Sequence, residues 1–159
     1  MEIRPLVPDD AEAFFETRLR ALETCPRAFS ASPERFRARG VEGCRSMIES
    51  VEDVRVTLGV WSEGRLVGIA GFVRDEGEER SPTGFVWGVF VDEGVRGQGV
   101  GVALMNALVG LLRSFAGLEQ ATLEVYEDNH AAVGLYRRVG FETFRDETRG
   151  TLHMALDLR

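Results

Sequence analysis

Apolar residues recur along this chain with two different periods, and the order in which these periods alternate is the strongest limit on its fold. Strand-type alternation occupies residues 2–6, 54–61, 66–73, 84–91, 121–127, 141–147 and 151–157. Helical spacing occupies residues 8–23, 32–50, 99–116 and 129–139. The order βααβββαβαββ, without an internal repeat or a linker, predicts a single α+β domain with a mixed sheet over residues 1–159.

The size and composition of the chain are typical of a globular domain. With 159 residues, the chain is long enough to build a core without metals or disulfides. Its 44% apolar and 28% charged residues are typical of a globular protein. No stretch reaches the roughly 20 apolar residues of a membrane helix, and the acidic N-terminus is unlike a signal peptide. Cys25 and Cys44 lack metal-site spacing and are expected to be plain small side chains. We therefore expect a cytoplasmic protein with no metal site and no membrane partner.

The charged residues restrict both the partners and the chemistry. A net charge of −7 disfavours a nucleic-acid partner, because phosphate binding usually requires a basic surface. The same charge mildly favours a cationic or amine substrate. All 19 basic residues are arginines, so a lysine Schiff base and a lysine phosphate clamp are both excluded.

A cluster of glycines lies between the strand pattern that ends at residue 91 and the helix predicted from residue 99. A helix N-terminus presents unpaired N–H groups and partial positive charge, and glycines let the preceding backbone close around an anion. Gly97, Gly99 and Gly101 are placed for this role, and Arg96 would add a full charge. A phosphate-bearing ligand or a tight turn without a ligand would explain the cluster. The P-loop and G-x-G-x-x-G patterns are absent, which argues against NTP hydrolysis and a Rossmann fold.

Two motifs resemble those of the GCN5-related N-acetyltransferase (GNAT) superfamily. Residues 96–101, RGQGVG, match its acetyl-CoA loop, [QR]-x-x-G-x-[GA]. Its pattern N-x-x-A-x-x-L-Y-x-x-x-G-F matches at Asn129, Ala132, Leu135, Tyr136, Gly140 and Phe141. Asn129 and Tyr136 are about two helical turns apart, so both lie on one helix face with Ala132. The resemblance implies the GNAT fold, in which a central, mostly antiparallel mixed sheet is flanked by helices.

The resemblance also implies that acetyl-CoA is the co-substrate. In this family the loop N–H groups bind the pyrophosphate of coenzyme A, and the backbone of the preceding strand pairs with the pantetheine arm. The coenzyme-binding residues implied for this chain are Val89, Phe90, Val91, Arg96, Gly97, Gln98, Gly99, Val100, Gly101, Asn129, Ala132 and Tyr136. Family members are often dimers, so a homodimer is one option for this chain.

Acetyl transfer to an amine requires a neutral nucleophile, a donor for the carbonyl oxygen and a proton for the departing thiolate. Tyr136 matches the general acid of the family, and its alternative role is that of a core tyrosine. Glu124 resembles the base proposed for ribosomal-protein N-terminal acetyltransferases, and the alternative is a solvated strand face or an ion pair. A backbone N–H near Val91 would donate a hydrogen bond to the oxyanion that forms from the thioester carbonyl. His130 and His153 are weaker candidates for catalytic residues.

The function implied is an N-acetyltransferase that acts on a primary amine of a small molecule or of a peptide or protein N-terminus by direct attack in a ternary complex. A catalytically silent coenzyme A-binding regulatory module is the alternative. Phe29, Trp61, Phe72, Trp87 and the acidic loop 75–80 are candidates for the acceptor side of the cleft, and core packing is the alternative, favoured role of each aromatic residue.

Overall fold

The computed structural model describes residues 1–77, 81–148 and 150–159. In these ranges the strands are β1 (Glu2–Pro5), β2 (Arg55–Ser62), β3 (Arg65–Arg74), β4 (Thr83–Val91), β5 (Gln120–Tyr126), β6 (Glu142–Thr148) and β7 (Thr151–Asp157). The α-helices are α1 (Ala11–Thr24), α2 (Pro33–Ile48), α3 (Val100–Leu112) and α4 (His130–Val139). Apart from short 3-10 turns, this order confirms the predicted βααβββαβαββ.

The strands form one sheet in the order β1-β2-β3-β4-β5-β7-β6. Neighbouring strands are antiparallel except for β4 and β5, which run parallel. The predicted mixed, mostly antiparallel sheet is therefore confirmed. Residues 83–85 of β4 pair with residues 120–122 of β5. In the described chain the pairing ends there, and the remaining lengths of both strands border a cleft.

Strand β4 contains a β-bulge beside this cleft. Gly88 and Val89 lie together opposite the single β3 residue Ala70, where the register between the strands shifts. Gly88 has a φ of +65°, a left-handed conformation that a side chain would strain. A Cβ at Gly88 would also lie 3.0 Å from Nη1 of Arg18. The bulge therefore lies at Gly88 and Val89, before Val91, near which the sequence analysis expects the oxyanion donor.

Helices pack on both faces of the sheet. The core under α1 and α2 includes Phe14, Phe36 and Ile48 of the helical layer and Ile69 and Phe90 of the sheet. The core under α3 and α4 includes Leu104, Leu108, Val133, Val56 and Phe72. Full burial of one such side chain contributes about 1.5–3 kcal/mol. These two cores fix the helices on the sheet and thereby hold both walls of the cleft.

The helix boundaries follow capping signals in the sequence. Ser32 caps α2, because its Oγ accepts a hydrogen bond from the Arg35 N–H at 3.3 Å and Pro33 occupies the first helical position. Helix α3 ends at Leu112, before the predicted end at residue 116, because turns at residues 113–117 lead the chain back toward β5. Within the described ranges, no helix combines the length and the apolarity required to cross a bilayer.

Candidate active site

Two cavities lie side by side at the cleft between β4 and β5. The loop cavity, of about 420 Å³, is bounded by the end of β4, the glycine loop, α3 and α4. The inner cavity, of about 220 Å³, is bounded by α1, β4, β5 and α4. Both are lined by Ala28, Phe29, Val89, Asn129, Ala132 and Tyr136. A molecule that extends through the loop cavity would therefore reach the inner cavity beside Tyr136.

The glycine loop presents backbone N–H groups at the N-terminus of α3. Gly97 and Gly99 have φ values of +76° and +80°, and a Cβ on either would meet no atom within 4 Å. The first N–H bond of the helix runs from Ala103 to the carbonyl of Gly99, at 3.0 Å. The N–H groups of residues 100–102 therefore precede the helical ladder and are available to an anion. The donors and the open space suit the predicted phosphate site.

Other residues of the loop have more specific contacts. The Arg96 Nε donates to the carbonyl of Val91 at 2.8 Å, which fixes the guanidinium beside the loop. A Cβ on Gly101 would lie 3.3 Å from a methyl group of Leu135, so this glycine lets α3 pack closely on α4. The side chain of Gln98 turns toward the backbone of its own loop. The loop itself thus carries the positive charge of Arg96 and of the helix terminus, and Arg138 of α4 also lines the loop cavity.

Residues 89–91 of β4 line the loop cavity. On one side Phe90 and Val91 pair with β3, and on the other side, within the described chain, residues 89–91 have no partner in β5. Backbone groups on such an edge can pair with an extended ligand as an added strand. This geometry is compatible with the pantetheine contacts predicted for Val89, Phe90 and Val91.

One face of α4 closes both cavities from the opposite side. Asn129 caps the helix, because its Oδ1 accepts a hydrogen bond from the Ala132 N–H at 3.3 Å. Asn129, Ala132 and Tyr136 all line both cavities, as their helical spacing predicts.

Tyr136 lies where the two cavities meet and is 8% exposed. Its ring packs edge-on against Phe141, with 6.0 Å between the ring centroids. Burial raises the pKa of the Tyr136 phenol above its ordinary value. The phenol therefore keeps its proton at neutral and mildly alkaline pH. Tyr136 is thus a core residue whose ring also forms part of the wall of both cavities.

Glu124 on β5 also lines the inner cavity. Its side chain is 56% exposed, and its Oε1 lies 3.4 Å from Nδ1 of His153 on the neighbouring strand β7. The carboxylate is thus solvated and beside an imidazole, which corresponds to the ion-pair alternative more closely than to a desolvated base. His130, the first residue of α4, is exposed. In the described ranges no three His, Cys, Asp or Glu side chains are grouped to hold a metal ion.

A charged residue of the inner cavity, Arg18 on α1, is absent from the predicted site. It is 8% exposed, and its Cζ lies 5.0 Å from the ring centroid of Phe29 and 5.6 Å from that of Trp87. Its Nε and Nη1 are buried without a hydrogen-bond partner among the described residues. Burial lowers the pKa of Arg18 to about 10. The sequence does indicate that Arg18 is buried, because Phe14, Arg18 and Leu22 are spaced four residues apart and therefore lie on the same, apolar face of the helix.

The aromatic residues expected near the acceptor separate into two groups. Phe29 and Trp87 line the inner cavity. Phe72 is 1% exposed because its ring faces the α3 side of the sheet, and Trp61 packs under Arg4 near the N-terminus. Phe72 and Trp61 therefore have the alternative role, core packing, and do not line the inner cavity. Of the acidic loop 75–80, residues 75–77 are exposed and residues 78–80 lie outside the described residues.

Comparison with known families identifies the fold that carries this site. The sequence pattern of the acetyltransferase (GNAT) family matches residues 16–141. The chain belongs to this family. The matched segment contains the glycine loop, the cleft between β4 and β5, and α4, so the GNAT pattern spans both motifs that the sequence contains.

Individual GNAT relatives agree with this assignment. A spermine/spermidine N(1)-acetyltransferase from Bacillus subtilis is 34% identical over 88 residues, which are 54% of this chain and 58% of that protein. The chain thus spans less than two thirds of the length of this relative. A GNAT-family acetyltransferase from Streptococcus pneumoniae superposes with a TM-score of 0.76 at 20% identity, over 98% of both chains. For the PaiA N-acetyltransferase from Thermoplasma acidophilum in complex with coenzyme A, the TM-score is 0.74 at 17% identity, over 98% of both chains. These structures establish the GNAT fold.

Proposed function

We propose that this protein is an N-acetyltransferase that transfers the acetyl group of acetyl-CoA directly to a primary amine in a ternary complex. One observation carries the proposal: Tyr136, a buried phenol, lines both the loop cavity and the inner cavity. The loop cavity would hold the co-substrate, and the inner cavity would hold the amine. Membership of the GNAT family supports the same activity.

The glycine loop fits a diphosphate group. The N–H groups of residues 100–102, the partial charge of the helix terminus and Arg96 would bind the phosphate oxygens. The space beside Gly97 and Gly99, where a Cβ would meet no atom within 4 Å, leaves room for these oxygens. From this point the free edge of β4 would pair with the amides of the pantetheine arm, which would pass between β4 and α4 toward Tyr136.

In the proposed reaction the amine nitrogen attacks the thioester carbon, so that a C–N bond forms and the C–S bond breaks with its electron pair moving to sulfur. The backbone N–H of Val89, at the bulge, would donate to the carbonyl oxygen as negative charge develops there. The phenol of Tyr136 would donate its proton to sulfur and later regain one from solvent. The ammonium loses one proton before attack and the nitrogen loses a second afterwards, which leaves a neutral amide and the free thiol.

Glu124 is the proposed acceptor of the protons that the nitrogen releases. Its exposed carboxylate, 3.4 Å from the imidazole of His153, would pass them to water. Glu124 need not be a strong base for this step, because the alignment of amine and thioester in one cleft supplies much of the rate acceleration. Effective concentrations for well-oriented reactants reach about 10⁵ M or more.

Thiol release from acetyl-CoA over a panel of amines tests this proposal, with Tyr136→Phe as the matched variant. The substitution removes the hydroxyl group and keeps the ring that packs on Phe141. We expect kcat to fall by about 10²- to 10⁴-fold while the affinity for coenzyme A is unchanged. Wild-type kcat in this variant would contradict the acid role of Tyr136. Coenzyme binding without turnover of any amine would identify the silent regulatory module instead.

Two further properties stay predictions. The homodimer rests on the family resemblance, and light scattering during gel filtration would distinguish one chain from two. The cytoplasmic location rests on the composition of the chain and on its unpaired cysteines, Cys25 and Cys44. Cell fractionation would test it.

A further inference from the structure

The inner cavity contains a cation that the proposed acetyl transfer does not use. Arg18 is 8% exposed, and its Nε and Nη1 have no hydrogen-bond acceptor among the described residues. A buried guanidinium without an acceptor is costly, so most buried charges in proteins are paired. Arg18 thus forms part of the wall of the inner cavity while its guanidinium lacks an acceptor, which a molecule bound beside it could supply.

The surroundings of Arg18 stabilise the guanidinium without supplying an acceptor. The rings of Phe29 and Trp87 lie 5.0 and 5.6 Å from its Cζ, at cation–π distances. Nη1 lies against the bulge, because a Cβ on Gly88 would be 3.0 Å from it. Aromatic rings hold the position of a guanidinium, but they do not pair its N–H groups. The planar N–H edge of an arginine matches a carboxylate, which it can bind through two parallel hydrogen bonds.

The other charges of the inner cavity make the pattern more specific. Among the described residues that line it, the charged side chains are Arg18 and Glu124. The cavity thus offers one cation and one anion, which complements a molecule that carries both an ammonium group and a carboxylate. Its volume of about 220 Å³ is below the roughly 300–1,000 Å³ of pockets for drug-sized ligands, which favours a small acceptor.

We infer that the acceptor is a small amine that also carries a carboxylate, as an amino acid does, and that Arg18 binds this carboxylate while the amino group faces Tyr136 and Glu124. The inference rests on the proposed acetyltransferase function and specifies its substrate class. A polyamine has no group that could satisfy Arg18, and its positive charges would be repelled by the guanidinium. This chain is therefore expected to differ in acceptor from its spermine- and spermidine-acetylating relative.

Matched acceptors test the inference in the wild-type protein. The kcat/KM for acetyl transfer is measured for a panel of L-amino acids, for the carboxamide of each, and for spermidine. Each acid and its amide share the same side chain and amino group, and kcat/KM is expressed per concentration of neutral amine, because amidation of the carboxylate also lowers the pKa of the amino group. We expect at least one acid to exceed its amide by about 10- to 100-fold, the range for a charge-assisted hydrogen-bonded pair. Equal rates for every acid and its amide, or a preference for spermidine, would overturn the inference.

Variants then assign the preference to Arg18. Arg18→Gln should lower kcat/KM for the preferred acid by about 10- to 100-fold and leave that for its amide nearly unchanged. Arg18→Lys, which keeps the charge, should restore part of the loss. Arg65→Gln is the matched control, because Arg65 is an exposed residue of β3 outside both cavities. An equal loss for acid and amide in Arg18→Gln would show that Arg18 acts on the reaction centre and would overturn its role in acceptor binding.

Calorimetry separates this inference from the proposed function. The same amino acids are titrated into the wild-type protein saturated with coenzyme A, and into Arg18→Gln in the same state. Binding to the wild type that is lost in Arg18→Gln would support the carboxylate site even if no amine were turned over. Absence of binding by every carboxylate would overturn the site, whether or not the protein acetylates another amine.

Discussion

Replacement of Gly99 by aspartate is the perturbation that probes the proposed diphosphate site most selectively. Gly99 is the N-cap of α3, and a Cβ at this position points into open space beside the loop. An aspartate carboxylate there would both repel the phosphates and compete for the N–H groups of residues 100–102. Gly99→Asn is the matched control, because asparagine has nearly the same shape without the charge. Both variants carry the same left-handed backbone, with φ of +80° at Gly99.

The expected size of the effect follows from Coulomb's law. At a separation of about 5 Å, two unit charges repel by roughly 0.8 kcal/mol in water and roughly 3.3 kcal/mol at an effective dielectric constant of 20. This corresponds to a loss of about 4- to 250-fold in affinity for coenzyme A in Gly99→Asp relative to Gly99→Asn. Because the Debye length falls to about 3 Å in 1 M salt, the difference between the two variants should shrink there.

Calorimetric titration measures these affinities directly. Coenzyme A and S-acetylpantetheine, which lacks the diphosphate, are each titrated into the wild type, Gly99→Asp and Gly99→Asn at low and high salt. We predict that the aspartate weakens binding of coenzyme A and leaves that of S-acetylpantetheine unchanged. Equal affinities of Gly99→Asp and Gly99→Asn for coenzyme A at low salt would refute the location of the diphosphate at this helix terminus.

Three further predictions concern the frame of the site and its proton donor. Gly88→Ala should lower the free energy of unfolding by about 1–3 kcal/mol in urea titrations, because its φ is +65° and a Cβ would press on Arg18. Phe14→Ala should lower the free energy of unfolding by about 3–5 kcal/mol in the same assay, since Phe14 is 0% exposed. The control Phe144→Ala should lower it by less than about 0.5 kcal/mol, because Phe144 is 56% exposed. The third prediction concerns the dependence of kcat on pH, which should rise as the acceptor amine loses its proton. Because burial raises the pKa of Tyr136, loss of the phenol proton should cause no decline of kcat below about pH 10. A decline in this range that disappears in Tyr136→Phe would contradict the prediction.

The sequence predicts those parts of the site that depend on local patterns. The glycine loop, the cap at Asn129 and the face shared by Ala132 and Tyr136 all follow from residue type and helical spacing within short segments. The order of strands and helices follows from the changes of apolar period in the same way. These features need no knowledge of which elements become neighbours.

The parts that depend on contacts between distant elements were missed or misplaced. The bulge at Gly88 follows from the register between β3 and β4, which the β4 sequence alone does not fix. The buried position of Arg18 follows from the packing of α1 beside Phe29 and Trp87. Likewise, Phe72 and Trp87 both lie on central strands, and only the helical layer on each face decides which of them reaches the cleft.

The central claim is that a diphosphate binds at the start of α3 while the attached thioester reaches Tyr136. A crystal structure of the protein with acetyl-CoA tests this claim most directly. We predict diphosphate oxygens about 3 Å from the amide nitrogens of residues 100–102, and the sulfur atom beside the Tyr136 hydroxyl in the passage between the two cavities. Acetyl-CoA bound at another surface, or with its sulfur directed away from Tyr136, would contradict the account.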